Sequence, residues 1–432
     1  MKSVLKSLKP KLYFAAAKYF LFWSKLSLRR WSPRVIMVTG SVGKTTMLHM
    51  LEAALGDKAH VSHNANSSFG LAFDVVGLSG VRANRWKWLY LLIAVPVRSL
   101  FYKRQQEFYV AEVDADRPLE AEIVASWLRP EVSAWVSVSN SHAVNFEQLA
   151  SELSISTDNL IADSFAAATA QTTGAVMYNG ESDAMIGALT RAGIDWATPV
   201  SLAQLKSYRV TPTKTEYGFK KELLGAPTTI SLAHAQPREA GLQLAMTLMI
   251  CRELGAHASA ADFSTITQPP SRTTYLKGAA GYGMIDSSYN AHLESMQSII
   301  NMFSEIKHES KWLVIGDIIE QGANEKKEHQ RLAAVISGSN VNNIVLVGPR
   351  TLKHTKPILG NNDKINLHAF EKPADAMEYL RDSLSKDDLV LFKGSQLLEG
   401  IIKNLLASPA DESLLCRRDA RSQKWREHWG VG

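Results

Sequence analysis

Hydrophobic residues follow two different spacings along the chain. Short apolar runs, such as Val35 to Val38 and Leu389 to Lys393, have the length and composition of buried strands. Between such runs, apolar residues recur every three or four positions, as at Leu48, Leu51 and Leu55, which is the spacing of one face of a helix. This alternation of strands and helices predicts an α/β fold with mostly parallel strands.

The pattern divides the chain into three regions. Residues 1–34 read as a basic amphipathic helix, residues 35–268 as an α/β domain, and residues 269–432 as a second, doubly wound (Rossmann-like) domain. Within the central region, residues 206–232 read as a β-rich excursion. We place the last boundary at Gln268-Pro269-Pro270, because proline favours a linker.

A glycine-rich loop follows the first strand of the central region and precedes its first helix. Its sequence is Val38-Thr39-Gly40-Ser41-Val42-Gly43-Lys44-Thr45-Thr46. In this context the glycines let backbone N–H groups approach phosphates, Lys44 can neutralise the β and γ oxygens, and the Thr45 hydroxyl can bind a magnesium ion. The loop therefore predicts that residues 39–46 bind ATP with Mg²⁺.

Composition narrows the protein class. With 432 residues, 46% of them hydrophobic and 21% charged, the chain can form two or three domains with large cores. Its two cysteines, Cys251 and Cys416, suggest neither a disulfide framework nor a zinc site, which favours a cytoplasmic location. The net charge of +6 comes with no nucleic-acid-binding signature, so we expect no nucleic-acid partner.

Positive charge is concentrated at the start of the chain. Residues 1–34 hold nine lysines and arginines and no acidic residue, and Lys11, Lys18 and Lys25 recur every seven positions along one helical stripe. Its uninterrupted apolar run is too short to span a bilayer. Two interpretations stay open: it docks on its own ATP-binding domain, or it makes a peripheral contact with the inner face of the membrane.

A second apolar segment, Trp88 to Val97, is followed by several basic residues. We expect a core helix interrupted at Pro96, with a second contact to a membrane or to a lipid-linked substrate as the alternative.

Further segments follow the glycine loop in a recognisable order. Only two residues separate Gly40 from Gly43, where the general phosphate-loop pattern has four. The later segments are His63-Asn64-Ala65-Asn66-Ser67-Ser68-Phe69-Gly70, Tyr109-Val110-Ala111-Glu112-Val113, Ser141-His142, Ile285-Asp286-Ser287-Ser288-Tyr289-Asn290-Ala291-His292, Ile315-Gly316-Asp317, His329 and Lys393-Gly394-Ser395. Together, over roughly residues 35 to 405, they resemble the Mur ligase family, and within it the ligases that add D-alanyl-D-alanine.

The resemblance implies a fold and an activity. Residues 35–268 would be the phosphate-loop central domain and residues 269–432 the C-terminal domain. The activity would be that of an ATP-dependent carboxylate–amine ligase that works through an acyl phosphate and adds D-alanyl-D-alanine to a muramoyl-tripeptide precursor of peptidoglycan. The partners would be that acceptor and the dipeptide amine. A related ligase acting on another peptide or polyamide, and a catalytically impaired ATP-binding scaffold in cell-wall assembly, are the alternatives.

The resemblance also implies roles for individual residues. Thr45 and Glu112 would hold one magnesium ion, and His142 a second. The catalytic residues would be Lys44, His142, Arg272 and Asp286. Asn290 would contact the nucleotide, and substrate would be bound by Asn64, Asn66, Lys393 and Ser395.

Three features depart from the family pattern. The chain has no lysine between Lys103 and Lys206, where the family carries a carbamylated lysine, and we hypothesise that Asp163 supplies a carboxylate for magnesium instead. Gln396 stands where arginine is usual, which leaves the amine substrate open. Only 38 residues precede Thr39, where full-length ligases have a nucleotide-sugar-binding domain. We therefore expect the acceptor to be held by the basic helix, a partner protein or a membrane.

Overall fold

The computed structural model describes most of the chain, in two compact units. Unit 1 contains Met1–Gln204, Lys220–Pro227 and Ala240–Asp262, and unit 2 contains Leu205–Phe219, Thr228–Glu239 and Phe263–Gly432. The described residues are 2–63, 65–80, 85–139, 143–221, 228–256, 262–266, 269–319, 321, 324–394, 397–416 and 420–432.

Unit 1 is built on a six-stranded sheet in which every pair of neighbours is parallel. Its strands are β1 (Arg34–Thr39), β2 (Ala59–Val61), β3 (Phe108–Val113), β4 (Val132–Trp135), β5 (Ala175–Asn179) and β6 (Thr198–Val200), in the order β2-β3-β1-β4-β5-β6. Its helices are α1 (Lys2–Trp31), α2 (Lys44–Leu55), α3 (Ser68–Val75), α4 (Arg85–Phe101), α5 (Glu120–Leu128), α6 (Glu147–Leu153), α7 (Thr157–Thr169), α8 (Asp183–Arg191) and α9 (Ala240–Glu253).

Strand β1 lies at the centre of this sheet, between β3 and β4. Thr39 pairs with Val113 on one side and with Trp135 on the other, so the carboxyl ends of the three strands meet at one edge. The chain runs from β1 towards β2 and β3 on one side and then crosses to β4 on the other. Such a switch in strand order leaves a crevice at the carboxyl ends, where doubly wound folds bind ligands.

Unit 2 contains a second six-stranded sheet and a smaller antiparallel one. The strands are β7 (Leu205–Thr211), β8 (Lys214–Phe219), β9 (Thr228–Leu232), β10 (Thr274–Lys277), β11 (Gly283–Ser287), β12 (Ser310–Gly316), β13 (Asn343–Val347), β14 (Asn366–Phe370) and β15 (Asp388–Lys393). The larger sheet has the order β10-β11-β15-β12-β13-β14, and only its edge strand β10 is antiparallel to its neighbour. The helices are α10 (Leu293–Glu305), α11 (Glu325–Ser337), α12 (Lys356–Leu359), α13 (Pro373–Ser383), α14 (Leu397–Leu405) and α15 (Ala420–His428).

The α/β prediction with mostly parallel sheets is confirmed. The β-rich segment expected within the central region forms the separate sheet β7-β8-β9, and this sheet belongs to unit 2. The reason is its packing, because Val210 joins the same hydrophobic core as Met296 and Leu313.

Helix α1 packs against the rest of unit 1. This is the docked arrangement, the first of the two interpretations left open by the sequence. Its Phe20 side chain is buried and stands edge-on to Phe73 of α3, with ring centroids 5.0 Å apart. At its end, the Trp31 indole N–H donates to the Gln106 carbonyl over 2.6 Å. Among the described residues, no helix is both long and apolar enough to cross a bilayer.

Helix α4 runs through Pro96 without a break, which corrects the expectation that the proline interrupts it. Proline has no N–H, so within a helix it leaves the carbonyl four residues earlier without its usual donor. Here that carbonyl belongs to Leu92, and the Tyr19 hydroxyl of α1 donates to it over 2.8 Å. The docked α1 therefore supplies the hydrogen bond that Pro96 cannot make.

Phe20→Ala should destabilise unit 1 by about 3–5 kcal/mol, because it removes a buried ring from the contact between α1 and α3. Phe22→Ala is the matched control, since Phe22 lies two positions away and is 71% exposed; it should change stability by no more than about 0.5 kcal/mol. Urea unfolding measures both, and equal effects would contradict the docking.

Candidate functional site

The glycine loop lies at the carboxyl end of β1 and leads into α2. Gly40 and Gly43 have φ values of 131° and 86°, in the region that favours glycine. A Cβ atom on Gly40 would lie 2.6 Å from the Ser137 carbonyl oxygen, and one on Gly43 would lie 2.7 Å from Gln243 Nε2. The backbone conformation therefore favours glycine at both positions, and at Gly40 the close approach of the Ser137 backbone requires it as well.

Two serines that follow β4 hold the loop in place. The Ser137 hydroxyl accepts from Val42 N and donates to Val42 O, each over 2.7 Å. Ser41 N donates to Ser137 O over 3.2 Å, and Ser139 N donates to the Ser41 hydroxyl over 2.9 Å. The sequence gives no signal for this role, because it depends on the pairing of β4 with β1.

The Lys44 side chain is buried at the foot of the loop. Its ammonium group donates to the Gly40 carbonyl over 2.5 Å and forms an ion pair with Asp114, with Nζ and Oδ2 2.9 Å apart. Sequence reasoning missed Asp114. The available signal is its spacing, since it stands two residues after Glu112, where an extended chain returns to the same side.

Thr45 and Glu112 face each other beside Lys44. Thr45 Oγ1 lies 3.5 Å from Glu112 Oε2, and Glu112 N donates to the Ser62 hydroxyl over 2.9 Å. A hydroxyl and a carboxylate are oxygen ligands of the kind that magnesium prefers, so this pair fits the ion predicted here. His142, predicted to hold a second ion, lies outside the described residues.

The asparagine-rich segment reaches the same edge of the sheet. Asp114 N donates to the Asn66 carbonyl over 3.1 Å, which places Asn66 next to the partner of Lys44. Upstream, His63 Nε2 lies 2.8 Å from Glu52 Oε2 of α2. Asn64 lies outside the described residues.

Asp163 lies on α7 and forms an ion pair with Arg191. Its Oδ1 accepts from Arg191 Nε and Nη2, over 3.0 and 2.6 Å. Within the described part of the chain, His49, Glu52 and His63 are the group of three histidine or acidic residues placed closely enough to share an ion. The role of Asp163 as a metal ligand stays a prediction.

In unit 2, a buried acid and a buried amine stand on neighbouring parallel strands. Asp286 is on β11 and Lys393 ends β15, with Ser287 and Lys393 paired in register. Burial raises the pKa of the Asp286 carboxyl. Its Oδ1 accepts from Ser288 N over 2.9 Å, whereas its buried Oδ2 has no hydrogen-bond partner among the described residues.

The Lys393 amine donates to the Asn290 carbonyl over 2.6 Å. Burial, aided by the positive charge of Arg272, lowers the pKa of Lys393 to about 7. Four predicted residues, Arg272, Asp286, Asn290 and Lys393, are thus brought together at the carboxyl edge of this sheet. Ser395 lies outside the described residues.

Arg272 sits between two residues with an unfavourable backbone conformation. Ser271 and Thr273 have φ values of 58° and 62°. Positive φ values are uncommon for residues other than glycine and are most costly for a β-branched residue such as Thr273. The Thr273 hydroxyl donates to the Ala235 carbonyl over 2.7 Å, and the Arg272 guanidinium lies 4.4 Å from the centre of the Tyr289 ring. Such conformations cluster at functional sites, where the surrounding structure imposes them.

Two other segments of the signature have structural roles in unit 2. Asp317 is fully buried and accepts from Thr351 N over 2.8 Å, and a Cβ on Gly348 would lie 2.6 Å from its Oδ1. His329 is buried with Nδ1 3.1 Å from the Thr355 hydroxyl, and burial lowers its pKa.

Comparisons with known proteins find similar sequences and a similar fold. A family model described as Mur ligase, glutamate ligase domain, matches residues 271–396. The chain is 24% identical over 397 residues to the UDP-N-acetylmuramoyl-tripeptide–D-alanyl-D-alanine ligase of Bacillus subtilis, an alignment that covers 89% of this chain and 79% of the relative. It is 21% identical over 337 residues to the Escherichia coli ligase of the same name, covering 74% and 65%. The structure of MurF ligase from Thermotoga maritima in complex with ADP has a similar fold, with a TM-score of 0.70 and 20% identity, and covers 92% of this chain and 84% of that chain.

Gly40→Ala should weaken ADP binding at least about tenfold, because the added methyl group would collide with the Ser137 backbone and displace the loop. Gly193→Ala is the matched control: Gly193 also has a positive φ, 67°, but a Cβ there meets nothing within 4 Å. It should lower stability by about 1–2 kcal/mol and leave ADP affinity unchanged. Calorimetric titration with ADP and magnesium distinguishes the two variants, and unchanged binding by Gly40→Ala would contradict the assignment.

Lys393 should make stability rise with pH between about 7 and about 10.4, because the unfolded chain keeps a proton that the folded protein releases. The expected slope is up to about 1.4 kcal/mol per pH unit. Lys393→Met should remove it, whereas Lys386→Met, which changes an exposed lysine of the same unit, should preserve it. The measurement is urea unfolding at pH 6, 7.5 and 9. If the free energies of unfolding of wild type and Lys393→Met differ by the same amount at every pH, burial does not lower the pKa of Lys393 and the prediction is wrong.

Proposed function

Because the chain belongs to the Mur ligase family of ATP-dependent ligases, we propose that its Lys44 loop activates a carboxylate with ATP for attack by an amine. The observation that carries the proposal is the arrangement around Lys44. A buried ammonium, a tightly held loop and a facing hydroxyl and carboxylate lie together at the crevice of the unit 1 sheet. This combination suits the polyphosphate of a nucleotide.

The proposed reaction has two steps. A carboxylate oxygen attacks the γ-phosphorus of ATP, the bond to the β-phosphate oxygen breaks, and an acyl phosphate and ADP are formed. The amine nitrogen then attacks the acyl carbon, loses a proton, and inorganic phosphate leaves. Both steps concentrate negative charge on phosphate oxygens, so positioning and charge neutralisation supply most of the catalysis.

The chain's own residues would divide this work. The Lys44 ammonium and the loop N–H groups would bind the phosphate oxygens, and Asp114 would orient Lys44 through its ion pair. Thr45 and Glu112 would hold magnesium, which supplies further neutralisation when bound. In unit 2, Arg272, Asp286 and Asn290 would contact the nucleotide.

The proposed amine substrate is D-alanyl-D-alanine and the proposed acceptor is a muramoyl-tripeptide precursor of peptidoglycan. The names of the Bacillus subtilis and Escherichia coli relatives support this choice. Lys393 and Ser395 would help to bind the amine, and Asn64 and Asn66 would also contact substrate. A cytoplasmic location would suit both substrates.

The test incubates the purified chain with ATP, magnesium, UDP-muramoyl-tripeptide and D-alanyl-D-alanine, and follows phosphate release and product mass together. Lys44→Met should lower turnover at least about 10²-fold, because it removes a charge that stabilises the transition state. Lys58→Met, a change at an exposed lysine of the same unit, should leave turnover unchanged.

A pentapeptide mass that requires Lys44, with one phosphate per product, is the expected result. Phosphate release that responds only to a different amine or carboxylate would keep the ligase and replace its substrates. The absence of turnover with every substrate pair would overturn the proposal and favour an ATP-binding scaffold.

A further inference from the structure

Helix α4 presents large apolar side chains to solvent along its outer side. They recur at three- and four-residue intervals, the spacing of one helical face. Three of them, Trp86, Ile93 and Phe101, are 79%, 71% and 80% exposed. The full exposed set is Trp86, Leu89, Tyr90, Leu92, Ile93, Val97, Leu100 and Phe101. The inner side, with Leu91 and Val95, is buried in unit 1.

Helix α1 extends this surface. The Tyr19 hydroxyl donates to the Leu92 carbonyl, and Arg30 Nη1 donates to the Ser99 carbonyl over 3.2 Å. The two helices therefore lie side by side and run in the same direction. Helix α1 exposes Tyr19, Phe22 and Leu26. We call the exposed apolar residues of both helices the α1–α4 face.

The number and kind of exposed side chains on this face are unusual for a surface in contact with water. A single exposed apolar side chain needs no explanation, but the eleven found among the described side chains of these two adjacent helices indicate a binding surface. Aromatic residues stand at both ends of α4, and such side chains favour the boundary between water and lipid.

The charge of the two helices identifies the partner. Neither α1 nor α4 contains an acidic residue. Exposed basic side chains accompany the apolar ones, at Lys18 and Arg29 on α1 and at Lys103 just after α4. A second copy of the chain would bring like charges together, whereas anionic lipid headgroups would complement them.

We propose that the α1–α4 face binds the surface of a membrane that contains anionic phospholipid. The apolar side chains of α4 enter the boundary between headgroups and acyl chains, and the basic side chains contact the headgroups. The inference is independent of the ligase reaction. It differs from a contact made by the basic stripe of residues 1–34 alone, because α1 is docked and α4 supplies most of the apolar surface.

The experiment measures how the full-length chain partitions onto sedimenting vesicles of phosphatidylcholine, with and without 30% phosphatidylglycerol. Binding should be at least about tenfold stronger to the anionic vesicles, since each basic residue near the surface contributes about fivefold. Ile93→Ser with Phe101→Ser should reduce binding to anionic vesicles at least about tenfold.

Matched controls separate the face from general hydrophobicity and from charge. Leu153→Ser with Trp196→Ser changes two other exposed apolar residues of unit 1 and should leave binding unchanged. Lys18→Gln with Arg29→Gln should reduce binding to anionic vesicles only. Thermal melting checks that every variant is folded.

If the wild-type chain sediments with neither kind of vesicle, the proposal is wrong. It is also wrong if Leu153→Ser with Trp196→Ser loses as much binding as Ile93→Ser with Phe101→Ser. Self-association that depends on Ile93 and Phe101, measured by analytical ultracentrifugation, would also overturn it by making a second copy the occupant of the face.

Discussion

The buried ion pair between Lys44 and Asp114 is the interaction on which the unit 1 site depends. An ammonium removed from water needs an anion and hydrogen-bond acceptors close by, and breaking such a pair costs about 3–5 kcal/mol. Asp114 and the Gly40 carbonyl meet that need. They do so because β1 pairs in parallel with β3, so that Thr39 and Val113 end side by side and the residues that follow them face each other.

The other groups of the site also lie at the carboxyl edge of the unit 1 sheet. Pairing of β1 with β4 brings Ser137 and Ser139 under the loop, where they fix the positions of its N–H groups. The close approach leaves no space for a Cβ on Gly40. Unit 2 repeats the principle at its own sheet edge. There, burial raises the pKa of Asp286 and lowers the pKa of Lys393, so that both side chains favour their neutral forms. The strained residues Ser271 and Thr273 fix the backbone of Arg272 between them.

Sequence reasoning reaches features that are local in the chain. The strands, the glycine loop and the start of α2 are predictable, because spacing and glycine placement act over a few residues. The partnership of Lys44 with Asp114 is not, because it depends on the register of β1 and β3, whose paired residues Thr39 and Val113 are 74 positions apart in the chain. The unbroken α4 is also not predictable, because the donor for Leu92 comes from Tyr19 on another helix. The sheet β7-β8-β9 belongs to unit 2 through the contacts of Val210, which a linear pattern does not show.

The central claim is that a carboxylate is activated by phosphoryl transfer at the Lys44 loop, and oxygen labelling tests it most directly. The acceptor is prepared with ¹⁸O in its reacting carboxylate and incubated with ATP, magnesium and the amine. The phosphate released is then examined by mass spectrometry. An acyl phosphate transfers one labelled oxygen to phosphate for each amide formed, which is the result expected here. Unlabelled phosphate released together with amide product would show that the carboxylate is not phosphorylated, and would contradict the account.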